Sequence, residues 1–245
     1  MDSGRNGMSV LGNINIAILL LQVQAFHCQL CTDERILPLP DFDNVEVREY
    51  VLWEVFAEKL ECLRKCYYDV RCHSFQTVGG SSGRCTGHAT AFSSPDKIYS
   101  PTTVSAGNRM YLLPRGFHYV GSACTSDGDC TLENTSCNDG TCNCDIGIMF
   151  SIGKRACVTG CTEWGNEAVR YLKHSISGYN DVTLTGVTEA ECRQRCLAAN
   201  TSTFTCTTAD HLKSACYLSS ATFLSVPESN RKVGTAYTHY QRTCL

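Results

Sequence analysis

Apolar positions recur in three different ways along this chain. In the first 25 residues they are contiguous: Arg5 precedes an apolar run from Ile16 to Leu21, followed by a Val23-Gln24-Ala25 pattern suited to signal peptidase. The run is shorter than the roughly 18 apolar residues that a membrane span needs, and Asn13 and Asn15 interrupt its approach. Residues 1–25 are therefore expected to be a cleaved signal peptide, with Met8 as an alternative start and Phe26 as the first mature residue. No later segment is long and apolar enough to span a membrane, so a secreted, extracellular protein without a span after cleavage is expected. From Thr188 to Ala199 the spacing is helical, whereas between Cys124 and Cys157 core-forming residues almost vanish among Gly, Asp, Asn, Ser and Thr.

The helix over 188–199 is predicted from its ends as much as its interior. Thr188 and Glu191 form a capping box, Ala and Arg fill the middle, and Asn200 stands where a left-handed residue would stop it. Cys192 and Cys196, four apart, project from one face and can clamp the helix to what lies beneath. A nested pairing, Cys192 with Cys216 and Cys196 with Cys206, does this without crossing the chain, leaving Cys161 and Cys244 to close the ends. The pattern occurs twice. Cys31 to Cys62 and Cys161 to Cys192 are both 31 positions apart, KLECLRKC answers to EAECRQRC, and Cys72 and Cys85 answer to Cys206 and Cys216. Strand-like ends follow, NRMYLLPR against GTAYTHYQR. Aligned on Tyr111 and Tyr237, the position answering to Cys244 is His118, so the first copy has no closing cysteine.

Composition narrows the function classes. Eighteen cysteines in 245 residues indicate several small units held by disulfides rather than one large core. A net charge of -3 carries no basic excess and argues against nucleic acid as partner. With a signal peptide and an assignable set of pairs, disulfides outrank zinc ligation.

Cys124 to Cys157 reads C-x5-C-x6-C-x4-C-x-C-x12-C, which resembles EGF-like modules and the related nematode EB pattern. Spacing alone leaves fifteen connectivities open. The resemblance implies Cys124–Cys137, Cys130–Cys142 and Cys144–Cys157. The repeated unit resembles the PAN/apple module through its C-x3-C helix, Cys72-His73-Ser74-Phe75, Cys216-Tyr217-Leu218 and the outer pair Cys161–Cys244. By that resemblance the inner pairs of the first copy are Cys62–Cys85 and Cys66–Cys72, and some members keep only such inner pairs. The implied fold class is α+β and disulfide-rich: two small antiparallel-sheet-plus-one-helix modules, residues 26–118 and 161–245, separated by an EGF-like hairpin module at 119–160. Cys28 and Cys31 are left over; they either close on each other or link two chains into a disulfide-bonded homodimer. The first module is expected to be the looser one, because residues 114–123 form a long link with no outer disulfide at its root.

Other chemistry was sought. The seven histidines, His73, His88, His174 and His211 among them, are scattered singly, and no nucleophile elbow, phosphate loop or dinucleotide fingerprint occurs. Asp127 and Asp129 read as a solvated turn, since Val120 to Ala123 offers no carboxylate where EGF-like modules bind calcium. No catalytic, cofactor-binding or metal residues are assigned. Arg193, Arg195, Arg170, Lys173, Arg231 and Lys232 read as a solvated face rather than a polyanion site. Trp53, Trp164, Tyr171 and Tyr179 read as small-core residues, although such rings also suit sugars. Asn134 and Asn200 begin glycosylation sequons. The expectation is a non-catalytic glycoprotein that recognises another protein or a glycan, chiefly through 161–245. A structural matrix or coat component is the alternative, and a thiol-disulfide oxidoreductase using Cys28 and Cys31 the third reading.

Overall fold

The computed structural model describes residues 36–79, 83–98, 106–201 and 203–245. The expected signal peptide, Cys28 and Cys31 lie outside the described residues. The described chain is disulfide-rich and mostly β, with two α-helices. In the first half β1 (Leu37–Leu39), β2 (Val51–Phe56), β3 (Ser74–Val78), β4 (Arg84–His88) and β5 (Asn108–Leu112) form an antiparallel sheet in the order β1-β5-β3-β4-β2. Helix α1 (Lys59–Tyr68) packs on β3 and β4.

A hairpin follows, β6 (Thr135–Asn138) and β7 (Thr141–Cys144), turning through Asp139 and Gly140 at φ 53° and 76°. Two left-handed residues in succession match the twist of the flanking strands, which is why Asp-Gly suits this turn. A second pair, β8 (Met149–Ser151) and β9 (Ala156–Val158), joins the last sheet. There β10 (Trp164–Ile176), β11 (Val182–Thr185), β12 (Thr208–Leu212), β13 (Ala215–Ser219) and β14 (Arg231–Cys244) are ordered β10-β14-β12-β13-β11, with helix α2 (Glu189–Ala198) over β12 and β13. Strand for strand this repeats the first sheet.

Helix α2 starts as its sequence predicts: Thr188 Oγ1 accepts from the Glu191 amide at 3.3 Å, and the Glu191 carboxylate accepts from the Thr188 amide at 2.8 Å. Its end differs. Asn200 takes no left-handed conformation; the Ala199 amide donates back to the carbonyls of Arg195 and Cys196, and Asn200 instead bridges to Thr205. The chain's immediate return through that bridge stops the helix, so no special residue is needed.

Eight disulfides occur among the described residues. Cys62–Cys85 and Cys66–Cys72 pin α1, Cys192–Cys216 and Cys196–Cys206 pin α2, and Cys161–Cys244 closes the last sheet. Cys124–Cys137, Cys130–Cys142 and Cys144–Cys157 hold the middle segment. Under α2, four of the eight buried core residues are cysteines, alongside Ala168, Ala209, Leu218 and Tyr240. The sulfurs are thus both the staple and much of the apolar filling of a small core.

Strand register corrects the alignment of the two halves. Phe75 pairs with Tyr111, and Ala209, likewise three residues beyond its cysteine, pairs with Tyr240, so Tyr111 answers to Tyr240 rather than Tyr237. The position equivalent to Cys244 is therefore Arg115, not His118. Arg115 supplies a non-covalent closure: Nε donates to the Cys72 carbonyl at 2.6 Å, Nη1 to Tyr67 at 3.0 Å, and Nη2 to Cys66 and, at 3.1 Å, to Asp69. A planar cation with five donors is well matched to the carbonyls left over at the C-terminal end of α1.

The link that the sequence reading treats as a long connection is packed. Residues 37–245 form one compact unit. The stretch from 114 to 123 is a packed strap: Val120 and Ser122 are buried, the Val120 carbonyl accepts from the Ala91 amide, and Gly121 and Ser122 exchange bonds with Cys142. Backbone pairing on both sides does what the missing outer disulfide would have done. Among the described residues no helix is long and apolar enough to cross a membrane.

Arg115→Ala is expected to destabilise the chain by about 1–3 kcal/mol, since it strands helix-end carbonyls. Arg115→Lys, which keeps the charge but loses the fork, should recover only part of that. Urea midpoints for the two variants test this; an unchanged midpoint for the alanine variant would show that the clamp contributes nothing.

Candidate functional site

Two places gather polar side chains from elements distant in sequence. The first is buried. Glu167 on β10 meets Arg193 on α2, its carboxylate 3.2 Å from Nη2, and the same guanidinium lies 3.8 Å from Glu49, which precedes β2. The exposures are 4% for Arg193, 5% for Glu49 and 13% for Glu167, so all three are largely removed from water. The Tyr50 amide also donates to Glu167, at 3.3 Å. Burial, then the neighbouring Glu49 charge, pushes the Glu167 carboxyl up to about 7, against the opposing pull of Arg193 and the Tyr50 amide. The cluster spans the two halves of the chain and acts as a junction; the cleft beside it, lined by Glu49, Lys97, Asp139 and Arg170, is about 50 Å³ and holds little more than water.

The second place is open. Half-buried Trp164, at the start of β10, and half-buried Phe204 line a cleft of about 430 Å³ together with Asp181, Thr201, Thr203 and Thr205. One wall is the loop between Cys196 and Cys206, which spans 10 positions where the matching pair Cys66–Cys72 spans 6. The loop is held by the Asn200–Thr205 bridge, and Thr201 Oγ1 accepts from the Phe204 amide at 3.1 Å. Asp181 Oδ2 accepts from the Ser220 amide at 2.6 Å and its hydroxyl at 2.8 Å. Its other oxygen has no partner among the described residues.

The remaining residues singled out from sequence fall elsewhere. Arg193, read as part of a solvated face, is buried because its guanidinium is the counter-charge of the junction. Arg195 and Lys173 are exposed, Arg170 pairs with Glu189 at 3.0 Å, Arg231 donates to the Leu224 and Val226 carbonyls, and Lys232 to Ser229. Scattered in this way, they form no common anion site. Trp53 lies flat against Gly87, where a Cβ would sit 2.3 Å from the ring, and Tyr171 is buried, its hydroxyl donating to the Cys144 carbonyl at 2.7 Å. Tyr179 is exposed. Asn134 and Asn200 are both exposed, as sequon asparagines must be to accept a glycan.

The acidic turn is occupied by backbone. Asp127 accepts from the Cys137 amide at 2.8 Å, and Asp129 from the Thr125 amide at 2.7 Å, the Thr125 hydroxyl at 2.8 Å and the Ser126 amide at 2.9 Å, which lowers its carboxyl to about 2. The sulfurs of Cys124, Cys130 and Cys142 approach within 4.8 Å, but each is already in a disulfide and offers no thiolate to a metal. Burial drives His73 and His88 down to about 4. His239 Nδ1 lies 2.6 Å from Asp210, an arrangement seen in acid–base sites, yet His239 is fully buried and no substrate could reach it.

Comparison of the chain with protein-family models and with curated proteins finds no match.

The junction has a pH signature. Because the folded-state value of Glu167 is raised from 4.5 to about 7, its contribution is fully present below 4.5 and is lost as pH rises through 7, a change of roughly 3 kcal/mol. His73 and His88 act oppositely: depressed from 6.5 to about 4, their contribution is present above 6.5 and lost as pH falls through 4. Glu167→Gln removes only the first effect. The variant is expected to be more stable than the parent at pH 8 and to match it near pH 4, measured by thermal melts across that range; parallel curves would refute the assignment.

Proposed function

We propose that the chain is a secreted recognition protein that binds another extracellular protein or a glycan and catalyses nothing on it. In this reading it is built from two PAN/apple-like units, residues 26–118 and 161–245, around an EGF-like unit at 119–160. Support for the units comes from the repeated strand order, the doubly stapled helix over each sheet, and the three-disulfide hairpin segment between them. Extracellular placement is supported by eight disulfides, which persist in oxidising compartments.

The observation that carries the reading is the lengthened loop between Cys196 and Cys206. The same framework occurs in both halves, but only in the second do extra residues between the staples wall off an open, mixed-polarity cleft. A loop fixed at both ends loses little entropy when it meets a ligand, which is the physical advantage of placing recognition on a stapled frame.

The test is to probe arrays of glycans and secreted proteins with the full chain and with a variant lacking residues 201–204. Specific hits should be seen with the parent and lost on shortening the loop. Hits indifferent to the loop would move recognition elsewhere. Concentration-dependent self-association without hits would favour a matrix role, and thiol-disulfide turnover would favour chemistry at Cys28 and Cys31.

A further inference from the structure

We propose that the cleft beside Trp164 is a subsite for a neutral sugar ring, an inference that rests on the recognition reading and names the ligand class. The cleft, about 430 Å³, is shallow and open to solvent, a shape that suits one ring laid against its wall rather than an enclosed ligand. Its chemistry is selective. A pyranose presents one face of C–H groups and a rim of hydroxyls, each able to donate and accept. Trp164 and Phe204 line the cleft with aromatic surface suited to the first; Thr201, Thr203 and Thr205 also line it, and although their hydroxyls bond within the loop, that of Thr205 to Asn200 and that of Thr201 to Phe204, they keep lone pairs that can accept from the second.

Asp181 decides the class. An ionised carboxylate only accepts; Asp181 is exposed, with one oxygen held by Ser220 and the other available to accept from a ligand hydroxyl in place of water. Adjacent sugar hydroxyls can supply a charge-assisted bond to that oxygen. None of the lining residues is basic. A sulfated, phosphorylated or sialylated ligand would bring a second negative charge next to Asp181 with no cation to offset it, so acidic glycans are disfavoured. Cys196–Cys206 and the Asn200–Thr205 bridge tie the two ends of the loop, while Thr207, which also lines the cleft, donates to the Ser219 and Ala221 carbonyls.

The experiment uses the full chain, treated to remove any N-glycan so that none at the Asn200 sequon competes. An array carrying neutral, sialylated and sulfated glycans alongside secreted proteins identifies the class. The best neutral oligosaccharide is then titrated against the parent, Trp164→Phe, Trp164→Ala and Asp181→Asn, with Tyr179→Ala as an exposed aromatic outside the cleft. Expected are neutral hits, at least a tenfold loss of affinity in Trp164→Ala and Asp181→Asn, a smaller loss in Trp164→Phe, and no change in Tyr179→Ala. Should Trp164→Ala fail to fold, Asp181→Asn and quenching of Trp164 fluorescence in the parent still decide the matter. Preference for acidic glycans, or neutral binding unaffected by Asp181→Asn, would overturn the proposal. Protein hits alone would overturn the sugar subsite and leave the recognition reading standing; an array without hits would overturn both.

Discussion

Each helix in this protein is held to its sheet by two cystines whose sulfurs are buried, and much else in the fold follows from that arrangement. Cys62 and Cys66 on α1, and Cys192 and Cys196 on α2, are at most 2% exposed. With four sulfurs among the eight buried residues beneath α2, there is little room for branched aliphatic side chains, and little need of them. A core this small would bury too little surface for a comfortable margin, and the cross-links offset the deficit by restricting the unfolded chain. The same frame then tolerates a change of loop length between Cys196 and Cys206, because the loop ends are fixed whatever lies between them.

The two halves solve one problem in two ways. The second sheet is closed by Cys161–Cys244, a link across 83 positions. At the equivalent of Cys244 the first sheet has Arg115, whose guanidinium gathers carbonyls from the end of α1 and from the Cys66–Cys72 loop. The covalent closure constrains the unfolded state, whereas the arginine acts only on the folded one. Backbone pairing of the 114–123 strap with the middle segment adds to this closure.

Between the halves the chain buries charge as well as hydrocarbon, the latter where Tyr50 and Tyr119 pack with Val120 and Phe150. Glu49 and Glu167 share Arg193, and a buried ion cluster of this kind is weak as a source of stability because desolvation offsets much of the attraction. Its members come from the chain before β2, from β10 and from α2, so the cluster ties elements of both halves together. The cost is sensitivity to protonation near neutrality, because burial raises the Glu167 carboxyl to about 7.

The sequence by itself determined the repeat, the capping box at Thr188 and Glu191, and the inner cysteine nesting, because each depends on spacings of a few residues that one helix or one hairpin imposes. It placed the Asp127–Asp129 turn for the same reason. Arg193 read as a surface residue because nothing local distinguishes a buried arginine from an exposed one; its partner Glu49 is contributed by the other half of the chain, and Tyr50 and Glu167 are 117 positions apart. Arg115 was hidden by an alignment that matched Tyr111 to Tyr237, when only the strand register shows that Tyr240 is the true counterpart. The cleft at Trp164 was equally illegible, since its walls come from the start of β10, the chain before β11 and the loop after α2. Local spacing decides which elements form, and the burial of charge and the shape of a cleft are decided only when those elements meet.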